Sequence, residues 1–289
     1  MTDRIADDRL ERARRHVEAH LFEPLTLDRL ASQAGLSAYH FSRQFAARFG
    51  ISPMAYVRAH RLMAAAGRLL STPAPALIDL AFDCGFDSQE AFSRAFKRTF
   101  GIPPGHYRRS GAHPAPMEDS LMQPTVSRAV LTQSPAPVQK GALRIAGISA
   151  EFDETTKAGI PALWQRLVAA VPPDTFAGAQ TYGVCSGIPG GEPGSMRYLA
   201  GIGLASDAPA PKGLEVVEIA PQSYLIFRQL LNGGDIHQQM QAAAREIWGE
   251  RLPRSGHRLA QTPDLEVYPP GFRPDQPGNV EWWIPVESE

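Results

Sequence analysis

Apolar residues in the first part of the chain recur at helical spacing in two similar blocks. Phenylalanines four residues apart lie on one face of a helix, and that face must be buried. A glycine turn and a serine able to cap a helix precede each set of phenylalanines. This repeated order of helix, glycine turn and capped second helix predicts two helix-turn-helix units. The two sets are Phe41, Phe45 and Phe49, and, 51 residues later, Phe92, Phe96 and Phe100.

Capping residues place the starts of the predicted helices. Thr26 and Ser37 can accept hydrogen bonds from backbone amides at the starts of the two helices of the first unit. In the second unit, either Asp87 or Ser88 can cap the helix that carries the second set of phenylalanines. Residues 1–110 are therefore expected to form an all-α domain of two helix-turn-helix units.

The pattern changes after residue 110. Residues 111–137 are rich in proline, serine and alanine without clear periodicity, which predicts a linker. Residues 138–289 show short strand-like segments and two helical ones, in the order strand-helix-strand-strand, twice. The first round has strands at 143–152, 181–185 and 197–205 and a helix at 162–171, and the second has extended segments at 214–228, 265–268 and 280–286 and a helix at 236–248. This order predicts an α+β domain of duplicated units around an antiparallel sheet.

Charge separates the two halves more than the net value of −1 suggests. Residues 1–110 carry 16 Lys and Arg against 11 Asp and Glu, whereas the rest of the chain is acidic. A basic half beside an acidic half fits nucleic-acid contact by the first half alone. Cys84 and Cys185 are expected to be buried thiols, and without a signal peptide or spanning run the sequence predicts a cytoplasmic protein.

The outward faces of the two capped helices carry the candidate DNA-reading residues. Arg can bond guanine bidentately, Gln can address adenine and Glu can accept from cytosine. Arg43 and Arg94 occupy the same place in the two units and are the strongest base-reading candidates. Other basic residues are expected to contact DNA phosphates, and the alternative for any one of them is a surface charge that contacts only water. The base-reading set is Tyr39, Ser42, Arg43, Gln89, Glu90, Ser93 and Arg94, and the phosphate set is Arg48, Lys97, Arg98, Arg108 and Arg109.

Residues 8–109 resemble the paired helix-turn-helix domain of AraC-type transcription activators. The matching segments are Leu27–Phe49 with Pro53, and above all Asp79–Arg108. The resemblance implies two recognition helices that enter successive major grooves on one face of double-stranded DNA. It also implies RNA polymerase as a partner. Glu90 on the reading face differs from several relatives, which leaves the operator sequence open.

A carboxylate lies among apolar and aromatic residues near the end of the chain. Alternation along a strand over 265–268 puts Glu266 and Tyr268 on one face, and Trp282 or Trp283 in the next strand can share it. A buried carboxylate walled by aromatics favours a cationic or polar ligand. The alternative is an edge strand with Glu266 in water.

Residues 138–287 resemble the GyrI-like effector-binding domain of multidrug sensors. Leu214–Tyr224 and Pro263–Tyr268 carry this resemblance. It implies that Glu266 lies in a ligand cavity with aromatic walls. We expect these walls to come from Tyr182, Trp164, Phe227, Tyr268 and Trp283, and we expect no cofactor and no metal.

The sequence therefore predicts a DNA-binding transcription regulator whose second domain senses a small, cationic or aromatic ligand. One alternative is a DNA binder whose second domain is a non-sensing interaction module. Another is hydrolase activity, with Glu266 as general base and Tyr182 or Tyr268 nearby. The eight histidines are scattered and no Ser-His-Asp arrangement is visible, so we expect no enzyme activity.

Overall fold

The computed structural model describes residues 3–287, apart from 112–128, 135, 154, 189–190 and 192–193. Its residues form two compact units, one on each side of 112–128. Most of the predicted linker lies outside the described residues. The unit boundaries at 110 and 138 remain predictions.

The first unit is helical, as predicted, and its capping serines and threonine act as expected. Thr26, Ser37 and Ser88 each accept a hydrogen bond from a backbone amide three residues on. The choice left open between Asp87 and Ser88 is settled in favour of Ser88. The helices are α1 (Asp3–Ala19), α2 (Leu27–Ala34), α3 (Ala38–Phe49), α4 (Pro53–Leu69), α5 (Leu77–Asp83), α6 (Gln89–Phe100) and α7 (Pro104–Ser110).

Glycines make the two turns of the helix-turn-helix units. Gly35, with φ of 66°, ends α2, and Gly85, with φ of 76°, follows α5. Both lie in the left-handed region, where a side chain would strain the backbone. These turns connect α2 to α3 and α5 to α6.

Two separate apolar cores lie within this helical unit. Phe41 and Phe45 of α3 pack in the first core together with Tyr56 and Val57 from the start of α4. The second core contains the phenylalanines of α6 and residues from the later part of α4, including Leu62 and Leu69. Helix α4 therefore takes part in both cores.

The second unit is built on one antiparallel sheet. Among the described residues, nine strands pair in the order β1-β7-β9-β8-β4-β5-β3-β6, with β2 also paired to β7. The strands are β1 (Val130–Gln133), β2 (Val138–Lys140), β3 (Leu143–Phe152), β4 (Thr181–Gly187), β5 (Met196–Leu204), β6 (Glu215–Ile219), β7 (Gln222–Asn232), β8 (Asp264–Tyr268) and β9 (Pro277–Val286). The α-helices are α8 (Ile160–Ala170), α9 (Pro173–Gly178), α10 (Ile236–Glu246) and α11 (Leu252–Arg254), and a π-helical turn, Ile247–Arg251, joins α10 to α11.

The duplicated order of strand, helix and two strands is confirmed, with three differences. Strand β1 lies inside the predicted linker, and only Leu131 of its four residues is buried. Its pairing with β7, which no periodicity reveals, makes it a strand. The segment predicted as one extended stretch over 214–228 is two strands, because the chain turns at Ala220 and Pro221. Helix α9 was not expected.

Cross-strand register decides which side chains share a face of the sheet. Glu266 of β8 lies opposite Gly183 of β4 and opposite Trp282 of β9. Trp282 in turn lies opposite Phe227 of β7. Directly opposed residues of antiparallel strands point to the same side. These four residues therefore share one face.

Helices α8 and α10 pack on the face that carries Glu266, which we call the helix face. Trp164 of α8 donates a hydrogen bond to Tyr198 of β5, and the α10 backbone accepts one from Gln229 of β7. The other face of the sheet carries a second apolar cluster, which includes Tyr182 and Trp283.

Candidate DNA-reading helices and ligand site

Helix α6 presents a charged surface to the outside. Glu90, Arg94 and Lys97 are exposed along one side, whereas Phe92 and Phe96 on the other side are fully buried. The Arg94 side chain has no hydrogen bond or ion pair to any other residue within the described ranges. A guanidinium without an internal partner keeps all its donors for base edges.

Helix α3 offers a more constrained surface. The Arg43 guanidinium donates to the Tyr39 hydroxyl at 2.7 Å and lies 5.5 Å from the centre of the same ring. Both side chains are half-buried. Arg43 and Arg94 occupy matching places, as predicted from the sequence, but of these two arginines only Arg43 is held against a neighbour on its own helix within the described part of the chain.

The prediction that Ser42 belongs to the outward face of α3 is wrong. Its exposed fraction is only 5%. Ser42 is three residues before Phe45, so it lies about 60° from Phe45 around the helix and on the flank of the buried side. Gln89 and Ser93 are half-buried at the corresponding edges of α6.

The phosphate candidates separate into two groups. Arg48, Lys97, Arg98 and Arg109 are exposed. Arg108 is half-buried, and its guanidinium donates to the Pro75 carbonyl at 2.5 Å. The structure thus gives Arg108 a role inside the helical unit that the sequence pattern did not indicate.

In the second unit, Glu266 is the acceptor of two phenol hydrogen bonds. Its Oε2 accepts from the Tyr198 hydroxyl at 2.7 Å and from the Tyr268 hydroxyl at 2.8 Å. The Trp164 indole donates to the Tyr198 oxygen at 3.0 Å, which leaves the Tyr198 proton directed to the carboxylate. Glu266 itself is half-buried, whereas both tyrosines are buried. The two phenol donors hold the carboxylate in one orientation, and the Trp164 indole fixes the Tyr198 hydroxyl.

A missing side chain makes room for this network. Gly183 lies directly across from Glu266, and a Cβ added there would be 2.2 Å from the Tyr198 hydroxyl and 2.7 Å from Glu266 Oε2. Neither distance is compatible with a real side chain. The glycine is therefore a condition for the Tyr198–Glu266 hydrogen bond.

Further aromatic rings pack against the tyrosines that bond the carboxylate. Trp164 meets Tyr268 edge to face with ring centres 5.2 Å apart, and the centre of the Phe272 ring lies 5.0 Å from that of Tyr268. Burial, and then the negative charge of Glu266, raise the pKa values of Tyr198 and Tyr268 well above 10. Both tyrosines therefore remain protonated donors at neutral pH. The arrangement suits a cation that can face aromatic rings and an oriented carboxylate.

The structure brings together only some of the predicted wall residues. Tyr268 and Trp164 lie in the network around Glu266. Phe227 shares the helix face but is fully buried, with Trp282 of β9 between it and Glu266. Its contact with a ligand remains a prediction.

Tyr182 and Trp283 correct the sequence-based expectation, because both lie on the opposite face of the sheet. Tyr182 is paired with Val267 and Trp283 with Leu265, each one position away from a helix-face residue. A shift of one residue reverses the side-chain direction in a strand. Sequence reasoning also missed Tyr198. Its strand was predicted, but the register that brings it to Glu266 has no signal in the sequence.

Within the described ranges, no group of three or more His, Cys, Asp or Glu side chains is arranged to hold a metal ion. No described helix is both long enough and apolar enough to cross a membrane. Cys84 and Cys185 are buried thiols, as expected. Burial raises the pKa of Cys84 to about 11.

Known proteins resemble each unit separately. The Right origin-binding protein of Escherichia coli K12 is 45% identical over 94 residues, which are 32% of each chain. The match therefore spans about a third of that relative. The regulatory protein SoxS of the same organism is 36% identical over 92 residues, 32% of this chain and 85% of SoxS. A protein solved with tetraphenylphosphonium bound is 18% identical with a TM-score of 0.41, covering 54% of this chain and 93% of its own.

Two domain families match the chain. The first is a helix-turn-helix domain over residues 30–110. The second is the GyrI-like small molecule binding domain over residues 135–287, which is more than half of the chain. The chain belongs to the GyrI-like small molecule binding family, and its first unit is a helix-turn-helix domain of the AraC type.

Proposed function

We propose that this protein is a sequence-specific DNA-binding transcription regulator whose second unit binds a small lipophilic cation. The observation that carries the proposal is a pair of sites on one chain. Helix α6 exposes Arg94, which has no partner among the described residues, and Glu266 presents an oriented carboxylate bonded by two phenol groups. The first suits the edges of bases and the second suits a delocalised positive charge.

Selection of DNA by the full chain tests the first half of the proposal. The protein is used to select duplexes from a random pool, and the selected duplex is then mapped by footprinting. We expect protection of two adjacent half-sites on one face of the DNA. Recovery of duplexes with no shared sequence would contradict specific reading.

Three variants then separate base reading from phosphate contact. Arg94→Ala is expected to cost about 1–3 kcal/mol on the selected duplex and to relax preference at one base position. Lys97→Ala is expected to weaken selected and random DNA equally and to flatten the salt dependence. Arg58→Ala is the control, because Arg58 is exposed on α4 and has no hydrogen bond or ion pair within the described part. Equal losses on both DNAs for Arg94→Ala would contradict its assignment.

We expect the ligand to be a lipophilic cation because of the charge of Glu266 and the aromatic residues near it. Carboxylate oxygen attracts positive charge most strongly where water is partly excluded, and Glu266 is half-buried. The neighbouring indole and phenol rings add cation–π attraction between their faces and the bound cation. An anionic ligand of equal shape would meet the same rings but would be repelled by Glu266.

Two probes of nearly equal shape and opposite charge test this selectivity. Tetraphenylphosphonium carries one positive charge inside four phenyl rings, and tetraphenylborate carries one negative charge in the same setting. In calorimetric titration we expect the cation to bind at least about tenfold more tightly, a difference of about 1.4 kcal/mol. Glu266→Gln is expected to remove most of that preference. Equal binding of both ions by the wild type would contradict the assignment of Glu266.

The remaining functional expectations are part of the same proposal. A regulator of this kind contacts RNA polymerase and acts in the cytoplasm. The non-sensing alternative predicts that neither probe binds an intact fold. For the hydrolase alternative, Tyr182 cannot assist Glu266, because it lies on the opposite face of the sheet. Tyr268 still donates a hydrogen bond to Glu266. Ester or epoxide turnover that vanishes in Glu266→Gln would favour it.

A further inference from the structure

Helix α4 joins the two helix-turn-helix units, and the apolar contacts change over near its middle. Tyr56 and Val57 pack in the first core, and Leu62 and Ala65 pack in the second. Arg61 stands at this changeover. A single helix between two small cores can bend or twist, so further contacts are needed to fix the angle between the two helix-turn-helix units.

The Arg61 side chain makes such contacts in both directions. Its Nε donates to the Leu21 carbonyl at 2.7 Å and its Nη2 to the Glu23 carbonyl at 2.8 Å, both in the segment that follows α1. Its Nη1 lies 3.5 Å from the Cys84 carbonyl, at the turn of the second helix-turn-helix unit. The Cys84 thiol in turn donates to the Arg61 carbonyl at 3.5 Å.

The second turn leaves space for this guanidinium. A Cβ added at Gly85 would lie 2.7 Å from Arg61 Nη1. The turn glycine therefore serves two purposes: it permits the positive φ and it admits the arginine from α4. Arg61 is half-buried, so its contacts are less screened than those of a surface pair.

Arg68 repeats the connection two helical turns further along α4. Its guanidinium bonds Asp83 Oδ2 at 2.6 Å and lies 5.5 Å from the centre of the Phe22 ring. Asp83 ends α5 of the second helix-turn-helix unit, and Phe22 belongs to the segment after α1. Both arginines thus contact residues 21–23, which belong to the first helix-turn-helix unit, and residues 83–84, which belong to the second helix-turn-helix unit.

We propose that Arg61, assisted by Arg68, is a positioning residue that fixes the two recognition helices at one separation, so that the protein reads the spacing between half-sites. The inference rests on the proposed DNA-binding function and adds a property to it. Two readers held rigidly gain affinity only where both can engage at once. Each inserted base pair moves a half-site by about 3.4 Å and turns it by about 36°. A fixed pair cannot follow that change, whereas a loosely joined pair can.

Spacing variants of the selected duplex test the proposal on the full chain. The affinities of wild type, Arg61→Met and Arg58→Met are measured for the selected duplex and for versions with one or two base pairs inserted between the half-sites. Arg61→Met keeps the side-chain stem but removes every donor. Arg58→Met removes the same charge from an exposed position of the same helix.

We expect wild type and Arg58→Met to lose about 100-fold in affinity on insertion, because one reader is released. For Arg61→Met the loss is expected to fall below about tenfold, while binding to a single half-site stays unchanged. A spacing penalty as large in Arg61→Met as in wild type would overturn the positioning role. No sequence preference in the wild type would instead overturn the proposed function.

A second pair of variants guards against misfolding of Arg61→Met. Arg68→Met and Asp83→Asn each break the exposed ion pair between α4 and α5. We expect both to lower the spacing penalty about two- to fivefold, and the double variant to lower it no further than either single one. Unchanged penalties in these variants would overturn the contribution of Arg68.

Discussion

Substitution of Gly183 by alanine tests whether the Glu266 network is a packed structural unit. The added methyl group would overlap the Tyr198 hydroxyl at 2.2 Å and Glu266 Oε2 at 2.7 Å. Relief of this overlap breaks the Tyr198–Glu266 hydrogen bond and also strains the packing of the two strands. Loss of a hydrogen bond to a charged group costs about 1.5–3 kcal/mol. Overpacking adds about 1–3 kcal/mol.

The expected total, about 2.5–6 kcal/mol, is a large fraction of the stability of an ordinary domain. Urea unfolding followed by tryptophan fluorescence measures it in the second unit alone, because all four tryptophans lie beyond residue 160. Gly141→Ala is the matched control. A Cβ at Gly141 meets nothing within 4 Å, and we expect a change below about 0.5 kcal/mol.

A double-mutant cycle with Tyr198→Phe identifies the cause. Removal of the hydroxyl removes the closest overlap, although the ring carbon that carried it remains 2.7 Å from the added Cβ. We therefore expect Gly183→Ala to cost at least about 1 kcal/mol less in the Tyr198→Phe background. Additive costs, or a Gly183→Ala variant as stable as Gly141→Ala, would refute the reasoning.

Three further predictions follow from capping and burial. Ser88→Ala should lower the stability of the helical unit by about 1 kcal/mol in thermal unfolding followed by circular dichroism, since the amide of Ala91 loses its acceptor; an unchanged midpoint would contradict it. With its pKa near 11, buried Cys84 should resist iodoacetamide at pH 8 until the unit unfolds, and rapid native labelling would contradict this. Burial raises the pKa of Tyr224 from 10.0 to about 12, so its neutral form stabilises the fold below pH 10 and that contribution is lost from there to pH 12; fluorescence-monitored stability that rises over this interval would contradict it.

The helical unit was largely predictable because its signals are local. Helical spacing of phenylalanines, capping side chains and positive-φ glycines act within a few residues of one another. Arg94 followed from the same periodicity. Ser42 did not, because the width of a buried face depends on neighbouring helices as well as on the spacing within one helix.

The ligand site was less predictable because it depends on register between distant strands. Glu266 and Tyr268 are two residues apart, so simple alternation placed them together. Tyr198 is 68 residues from Glu266, and Tyr182 and Trp283 differ from helix-face positions by one residue each. The pairing that decides these faces joins segments far apart in the chain, and a shift of one residue moves every side chain of a strand to the other face.

Coupling between the two sites is most directly measured as a change in DNA affinity with ligand. The dissociation constant of the full chain for its selected duplex is measured with and without saturating tetraphenylphosphonium, for wild type and for Glu266→Gln. We expect a change of about 5- to 150-fold in the wild type, as for ordinary allosteric coupling, and little change in Glu266→Gln. A wild-type constant that is the same with and without the bound cation would contradict a DNA-binding regulator that senses its ligand through Glu266.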